Sequence, residues 1–565
     1  MTALVEAARY SDPQMLMDVE RLGSMYGNRL SFMRVLLRTI SSQQWRISHS
    51  LFDLDRQGYG TVVYAIDTPA QRYSLVIFSA YLPDERRNDR VIADQWDLTM
   101  ALCEGDISDD RMHHLRKNVP LQEAGRLNSR VLVLSRANRS SRNFESVVQA
   151  LASGKQPPVE QLVQVGYLYR TTAVYGSGKM GMADWGKVRD LFPDFARPFA
   201  AEMFTCYLLR QFSIEQAEHI ARQRSPDTAV AMSKEIKRYI GIGNATGLGM
   251  APYLIKHPQL IDRWVSVRES ALQCVLEQSV LDAEQQAKLL RDLDKAAQHL
   301  AETHIDDSRQ AALNSQARTE LQALASWLRD DDSPVLPGEL LAQVRQTCCL
   351  ETQEILVSLL LELYPEIVDA FADQMTVHES LVIDPAMCTS TLMQTIERDY
   401  DWALAVDFSA PGAQDIFWYR SAEKLEPRLG EAGVDPGSEW QMRLDIARSV
   451  KECANVLKAD LAAHPDSTVA RFLLRCPQQR PIVRRVQSMA GARCGEIRAN
   501  LVDADVLPLQ LLRCKLAFFG VSKFDPKSRL WVRNTMFQGA PLLQELNEAC
   551  ADDWYFPLAP TEQVS

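Results

Sequence analysis

The chain has 565 residues, of which 46% are hydrophobic and 24% are charged, and its formal net charge is -11. This composition is typical of a folded globular protein, and the acidic balance makes bulk nucleic-acid binding unlikely. No apolar run reaches the ~20 residues that a membrane-spanning helix needs, so no membrane partner is expected.

The first part of the chain predicts a helical segment followed by a small antiparallel sheet. Apolar residues at three- and four-residue steps favour helix over residues 13–52, whose arginines we interpret as a solvated or ion-paired face. Residues 61–67 and 73–82 are rich in β-branched and aromatic side chains and are separated by a short connector, which predicts a hairpin. Residues 91–102 and 130–135 are the candidate third and fourth strands.

The segment 135–144 follows the last of these strands and carries Arg136 and Arg139 among small hydroxyl and amide residues. Arginine presents a planar fork of donors that matches carboxylate and phosphate groups. The segment could therefore bind an anion. The alternative is an exposed polar turn before a helix predicted over residues 144–152.

A second candidate segment, residues 166–181, is an aromatic and β-branched run that ends in glycines around a lysine. Its candidate ligand-binding residues are Arg170, Gly176, Ser177 and Gly178. Lys179 could hold an anion or act as a base, and Tyr175 could donate a proton. The alternative for Lys179 is an ordinary solvated lysine in a turn.

The third candidate segment, residues 241–252, joins two predicted helices and contains four glycines within nine residues. Glycine lets another group approach the backbone closely, and a helix that begins after the segment would present free N–H groups to an anion. The candidate ligand-binding residues here are Gly241, Gly243, Asn244, Thr246, Gly247 and Gly249. The alternative is that the glycines end one helix and Pro252 starts the next.

The rest of the chain is predicted to be helical as far as a charged, proline-containing linker at residues 330–338, and mixed beyond it. Residues 402–408 and 415–420 resemble strands. Residues 466–540 are locally basic, which suggests pairing with acidic parts of the same chain, an anionic ligand or a docked partner.

These patterns predict an α+β fold that is predominantly α-helical, with a small antiparallel sheet near the N-terminus and a mixed C-terminal region. Three domains are expected, as the length suggests. The predicted domains are a helix-plus-sheet domain over 1–157, a helical domain over 158–329 and a mixed α/β domain over 339–565.

No metal site is predicted, because the nine histidines are dispersed. Neither a phosphate-binding loop nor a nucleophile motif is present. Glu215 and His219 would share a helix face, and we interpret them as a surface contact. The eleven scattered cysteines, and a start that lacks the pattern of a secretory signal, favour a cytoplasmic location.

The functional hypothesis from the sequence is that the three candidate segments converge on one cleft. The protein would then be a soluble enzyme acting on an anionic small molecule, with Lys179 or Tyr175 transferring a proton. The alternative is a non-catalytic interaction or regulatory protein whose basic C-terminal segment docks a partner. Nucleic acid is an unlikely partner, the cofactor is unknown, and homo-oligomers are left open.

Overall fold

The structure is a computed structural model, and the protein is mostly helical. The structure describes residues 11–83, 95–171, 191–247, 258–330, 334–375, 384–411, 446–497, 507–521, 523–528, 531–546 and 554–561.

The described strands form one mixed sheet. They are β1 (Arg46–Leu54), β2 (Gly60–Asp67), β3 (Arg72–Ser79), β4 (Leu98–Glu104), β5 (Val131–Arg139), β6 (Tyr167–Thr171), β7 (Gly241–Gly247), β8 (Asp525–Ser528) and β9 (Trp531–Met536). Their order across the sheet is β1-β2-β3-β4-β5-β6-β7-β9-β8. The β6–β7 pair is parallel and every other described pair is antiparallel. The predicted small antiparallel sheet is therefore wrong in size, because the sheet has nine strands.

The described α-helices surround this sheet and continue away from it. They are α1 (Pro13–Leu16), α2 (Val19–Ser24), α3 (Phe32–Ser42), α4 (Asp109–Asn118), α5 (Phe144–Ala152), α6 (Val159–Val165), α7 (Ala200–Arg224), α8 (Lys234–Tyr239), α9 (Pro258–Leu276), α10 (Ala283–Glu302), α11 (Ser308–Asp330), α12 (Pro337–Thr347), α13 (Leu350–Leu363), α14 (Pro365–Asp369), α15 (Thr389–Asp399), α16 (Asp401–Leu404), α17 (Ile446–Ala463), α18 (Val469–Arg475), α19 (Arg480–Met489) and α20 (Leu507–Phe519).

Strand β2 is buried on both faces. Val62, Tyr64 and Ile66 of β2 belong to the main hydrophobic core, which also includes residues of α7. Val63 points the other way, into a smaller cluster that contains Leu115 of α4. Burial on both faces explains why β2 is almost continuously apolar in sequence.

Two local predictions are corrected by the structure. The helical segment predicted over residues 13–52 is divided into α1, α2 and α3, the last of which ends at Ser42, and β1 begins at Arg46. Residues 402–408 are not a strand, because α16 covers Asp401–Leu404, and the other expected strand, 415–420, lies outside the described residues. Short apolar runs of this kind fit either a strand or a buried helix, so periodicity alone cannot separate them.

The predicted mixed C-terminal region is wrong, since the described residues of the C-terminal half are helical apart from β8 and β9. These two strands do not form a sheet of their own. β9 pairs with β7, so residues 531–536 complete a sheet that begins at residue 46. The domain boundaries expected at 157 and 330–338 stay predictions.

Helix α13 lies at the centre of the helical region, and every residue from Glu351 to Leu363 is buried. Its three glutamates are paired with arginines from four other helices. The pairs are Glu351 with Arg513 of α20, Glu354 with Arg21 of α2 and Arg268 of α9, and Glu362 with Arg34 of α3. Since a buried charge is tolerated when it is paired and hydrogen-bonded, α13 anchors helices that are distant in sequence.

Candidate functional site

The segment Gly241–Gly247, predicted as a ligand-binding loop, is strand β7. It runs parallel to β6 on one side and antiparallel to β9 on the other. The loop prediction is therefore wrong for these residues, because backbone partners on both sides hold the glycines in extended structure. Glycine is depleted in strands, and the sequence carries no period-two apolar pattern that would have revealed one.

The glycines of β7 make room for neighbouring side chains and backbone. A Cβ atom at Gly243 would lie 2.5 Å from the ring of Tyr167, and one at Gly241 would lie 2.5 Å from the side chain of Thr535 and would also meet the carbonyl oxygen of Met536. Close approach explains Gly241 and Gly243, but the approaching groups belong to the protein itself, whereas a ligand was predicted.

Replacing Gly243 with Ala should lower the free energy of unfolding by about 1–3 kcal/mol, because the new methyl group would overlap the Tyr167 ring. Chemical denaturation measures this change. Gly125→Ala is the matched control, since nothing lies within 4 Å of a Cβ at Gly125. A Gly243→Ala protein as stable as the control would contradict the packing role.

The predicted ligand-binding arginines are engaged in contacts within the protein. Arg139 donates from Nε to the hydroxyl of Tyr169 at 2.8 Å, and its guanidinium lies 4.4 Å from the ring of Phe144. Arg136 lies over the Trp96 ring at 4.2 Å, and burial lowers the pKa of its guanidinium. Both arginines therefore help to hold the sheet and its flanking segments together.

These arginines also lie on different faces of the sheet. Residues two apart in a strand share a face, so Arg136 and Arg139 of β5 point in opposite directions. Arg170 is in register with Asn138, which places it on the same face as Arg136. The three predicted arginines thus lie on the neighbouring strands β5 and β6, but their side chains do not all lie on the same face of the sheet.

A row of four buried polar residues crosses the sheet where β6 ends. The row consists of Ser135 of β5, Thr171 of β6, Asn244 of β7 and Asn534 of β9, and we call it the polar row. The hydroxyl oxygens of Ser135 and Thr171 are 3.4 Å apart, and the Asn244 amide donates to the Thr171 carbonyl at 2.9 Å. Asn244 and Asn534 are directly opposite each other in the β7–β9 pair.

Two members of the polar row have unmet hydrogen bonds. Across the described part of the chain, neither polar atom of the Asn534 side chain has a partner, and the same holds for Oδ1 of Asn244. Both side chains are at most 2% exposed. A buried donor or acceptor without a partner costs about 1–3 kcal/mol, so native proteins rarely keep several together without a reason.

Asn244 was among the residues predicted from sequence, whereas Asn534 was missed. Its own neighbours in sequence give no sign of a site, and only the pairing of β9 with β7 brings it next to Asn244. Thr246 and Gly247 lie further along β7. Because β6 and β7 are parallel, their carboxyl ends are at the same edge of the sheet, where ligands commonly bind in sheets with parallel strands.

The remaining predicted residues lie outside the described part of the chain. They are Tyr175, Gly176, Ser177, Gly178, Lys179 and Gly249. The segment with Lys179 follows the carboxyl end of β6, and Gly249 follows that of β7. Whether the three candidate segments converge therefore stays a prediction.

Glu215 and His219, which share a face of α7, each have hydrogen-bond partners in the first hairpin. Glu215 accepts hydrogen bonds from the hydroxyl of Tyr64 at 2.5 Å and lies 3.1 Å from Nε2 of His49, while His219 contacts the carbonyl of Asp55. Burial, together with the Glu215 carboxylate, raises the pKa of Tyr64 well above its ordinary value. The cluster ties α7 to the first hairpin.

Comparisons with known protein families, with curated proteins and with solved structures gave no match. In the described ranges, no group of three or more potential ligand side chains is placed to hold a metal ion. None of the helices described is both long and apolar enough to cross a membrane.

Proposed function

We propose that the protein is a small-molecule enzyme whose substrate is held by the side-chain amides of Asn244 and Asn534. The observation that carries the proposal is the pair of in-register, buried asparagines with three unmet hydrogen-bonding atoms. Between them these atoms offer one donor group and two acceptors. A ligand that carries a hydroxyl or amine beside an acceptor oxygen would satisfy all three.

The anionic group of the substrate remains part of the proposal, and it depends on Lys179. Arg136 and Arg139 make contacts within the protein, so the proposal does not assign them the anion. Lys179 and Tyr175 belong to the segment that follows the carboxyl end of β6, whose last residue, Thr171, is a member of the polar row. The proposed substrate is thus a hydroxylated or aminated carboxylate or phosphate, and Lys179 or Tyr175 transfers a proton. A cytoplasmic location is part of the same proposal.

Asn534→Leu tests this assignment through two opposite effects. Without ligand, the free energy of unfolding should rise by about 1–3 kcal/mol, because an apolar side chain of similar size has no unmet hydrogen bonds to bury. A panel of hydroxy acids, amino acids and sugar phosphates should stabilise the wild-type protein in thermal-shift measurements. A ligand at one hundred times its dissociation constant contributes about 2.7 kcal/mol, and Asn534→Leu should lose this stabilisation.

Asn138→Leu is the matched control, because Asn138 is also buried in the sheet but has a satisfied amide. It accepts from the backbone N–H of Asp97 at 2.9 Å and donates to the carbonyl of Gln95 at 3.3 Å. This variant should be less stable than the wild type and keep ligand binding. If Asn534→Leu instead destabilises the protein as Asn138→Leu does, the amide serves the fold and the proposal fails.

The alternative function is docking of a partner by the basic C-terminal segment, and two arginines of this segment are already paired with glutamates of the same chain. Arg485 is buried and bonded to both carboxylate oxygens of Glu496 at 2.6 Å, and Arg513 is paired with Glu351. Charge reversal at Arg485 would therefore leave Glu496 beside a like charge and destabilise the fold. A substitution there cannot report on docking.

A further inference from the structure

The two edges of the nine-stranded sheet differ sharply. Strand β8, at one edge, has four residues and includes Pro526, which cannot donate a backbone hydrogen bond. Strand β1, at the other edge, has nine residues and no proline. Short strands, proline, charged side chains and bulges are devices that limit pairing at a sheet edge. Among the described strands β1 is an edge strand that lacks the first two, although it has charged ends and a bulge at Ser50.

Strand β1 also exposes its side chains on both faces. Leu51 is 37% exposed and Phe52 is 38% exposed, and consecutive residues of a strand point to opposite faces. The pairing with β2 shifts between His49 and Leu51, so Ser50 is the bulged residue. With Ser50 set aside, Arg46, Ser48, Leu51 and Asp53 share one face, and Ile47, His49, Phe52 and Leu54 share the other.

The ends of β1 carry opposite charges that the rest of the described chain does not pair. Arg46 lies at its first position and Asp53 at its eighth, and both are exposed on the same face. The ion pairs found among the described residues do not include either residue, and Asp67, which lies directly opposite Arg46 in the β1–β2 pair, is paired with Arg72. The strand therefore presents a cation at one end and an anion at the other, with the apolar Ile47, Leu51 and Phe52 and three polar side chains between them.

We propose that β1 pairs antiparallel with the β1 strand of a second copy of this chain, so that the sheet continues across a two-fold axis. With Ser50 bulged out of the pairing in both copies, the register that places Arg46 opposite Asp53 also places Ile47 opposite Phe52 and His49 opposite its own copy. Each copy contributes the same charges, so two Arg46–Asp53 pairs form. Such self-complementarity is what an isologous dimer interface requires, and it identifies a second copy as the occupant.

Charge exchange at the two ends of β1 tests the proposal with the full-length protein. Sedimentation equilibrium should show a reversible dimer for the wild type. Arg46→Glu and Asp53→Arg should each raise the dimer dissociation constant by roughly tenfold or more, because two opposite-charge pairs become two like-charge pairs. The double variant Arg46→Glu/Asp53→Arg should restore dimerisation, since the exchanged charges again face each other across the axis.

Arg56→Glu is the control, because Arg56 is an exposed arginine in the turn that follows β1. It changes the net charge as Arg46→Glu does, but it lies outside the proposed interface and should leave the dissociation constant unchanged. Thermal unfolding of each variant verifies that the monomer is folded. A wild type that stays monomeric, single variants that dimerise like the wild type, or a double variant that remains as weak as the single ones would each overturn the proposal.

Discussion

Replacing Glu354 with Gln should lower the free energy of unfolding by about 3–5 kcal/mol, because it removes the shared carboxylate of a buried charge network. Glu354 is bonded to Arg21 at 2.7 Å and also to Arg268, and the side chains of both Glu354 and Arg268 are almost completely inaccessible. The variant keeps the shape of the side chain. Its neutral amide, however, no longer balances the positive charges of the Arg21 and Arg268 guanidinium groups. Urea denaturation measures the change.

Two further variants separate the effect of burial from the loss of any ion pair. Asp294→Asn removes an ion pair with Arg329 in which both side chains are about half exposed, and it should cost less than about 1 kcal/mol. The double variant Glu354→Met/Arg268→Met also removes an ion-pair partner of Arg21 and of Glu269, so it should be at least as destabilised as Glu354→Gln. A cost for Glu354→Gln as small as that of Asp294→Asn would contradict the buried network.

The second large effect concerns pH and Glu202, in the first turn of α7. Burial raises the pKa of the Glu202 carboxyl from 4.5 to about 7. Between these two values the folded protein keeps a proton that the unfolded chain releases, so stability falls as pH rises through this window. The difference between the two pKa values corresponds to about 3 kcal/mol in the free energy of unfolding. Above pH 7 the penalty is complete, and below pH 4.5 it is absent.

Glu202→Gln should remove this dependence, because the amide is neutral at every pH. The variant should be more stable than the wild type at pH 8, by up to about 3 kcal/mol, and similar to it near pH 4.5. Thermal or urea unfolding between pH 4.5 and 8 gives the comparison. Glu160→Gln, at an exposed position of α6, should follow the wild-type profile. A Glu202→Gln profile parallel to that of the wild type would show that the carboxyl is not buried as described.

Only part of the candidate site could be predicted from the sequence. Asn244 was predicted, but as part of a glycine-rich loop that would surround an anion, whereas it belongs to a strand whose glycines accommodate Tyr167 and Thr535. Asn534, almost 300 residues further along the chain, gives no local signal. Its role depends on strand pairing between distant segments, which no pattern in either segment specifies.

Local patterns did determine much of the secondary structure. The helix predicted over residues 144–152 has those bounds in α5, and the predicted hairpin is confirmed by β2 and β3. These elements are decided by the periodicity of their own apolar side chains and by β-branched content, which are properties of consecutive residues.

Only the tertiary structure decided how many strands the sheet has, which charges are paired and which strands lie at its edges. Arginines of the first helices were expected to be solvated or ion-paired, but nothing local shows that Arg34 is paired with Glu362 of a buried helix. In the same way, the glycine-containing segment Gly241–Gly247 forms strand β7 because β6 and β9 supply backbone hydrogen-bond partners on both sides. Short-range propensity selects helices and hairpins, whereas contacts between distant residues determine which groups are buried, paired or left exposed.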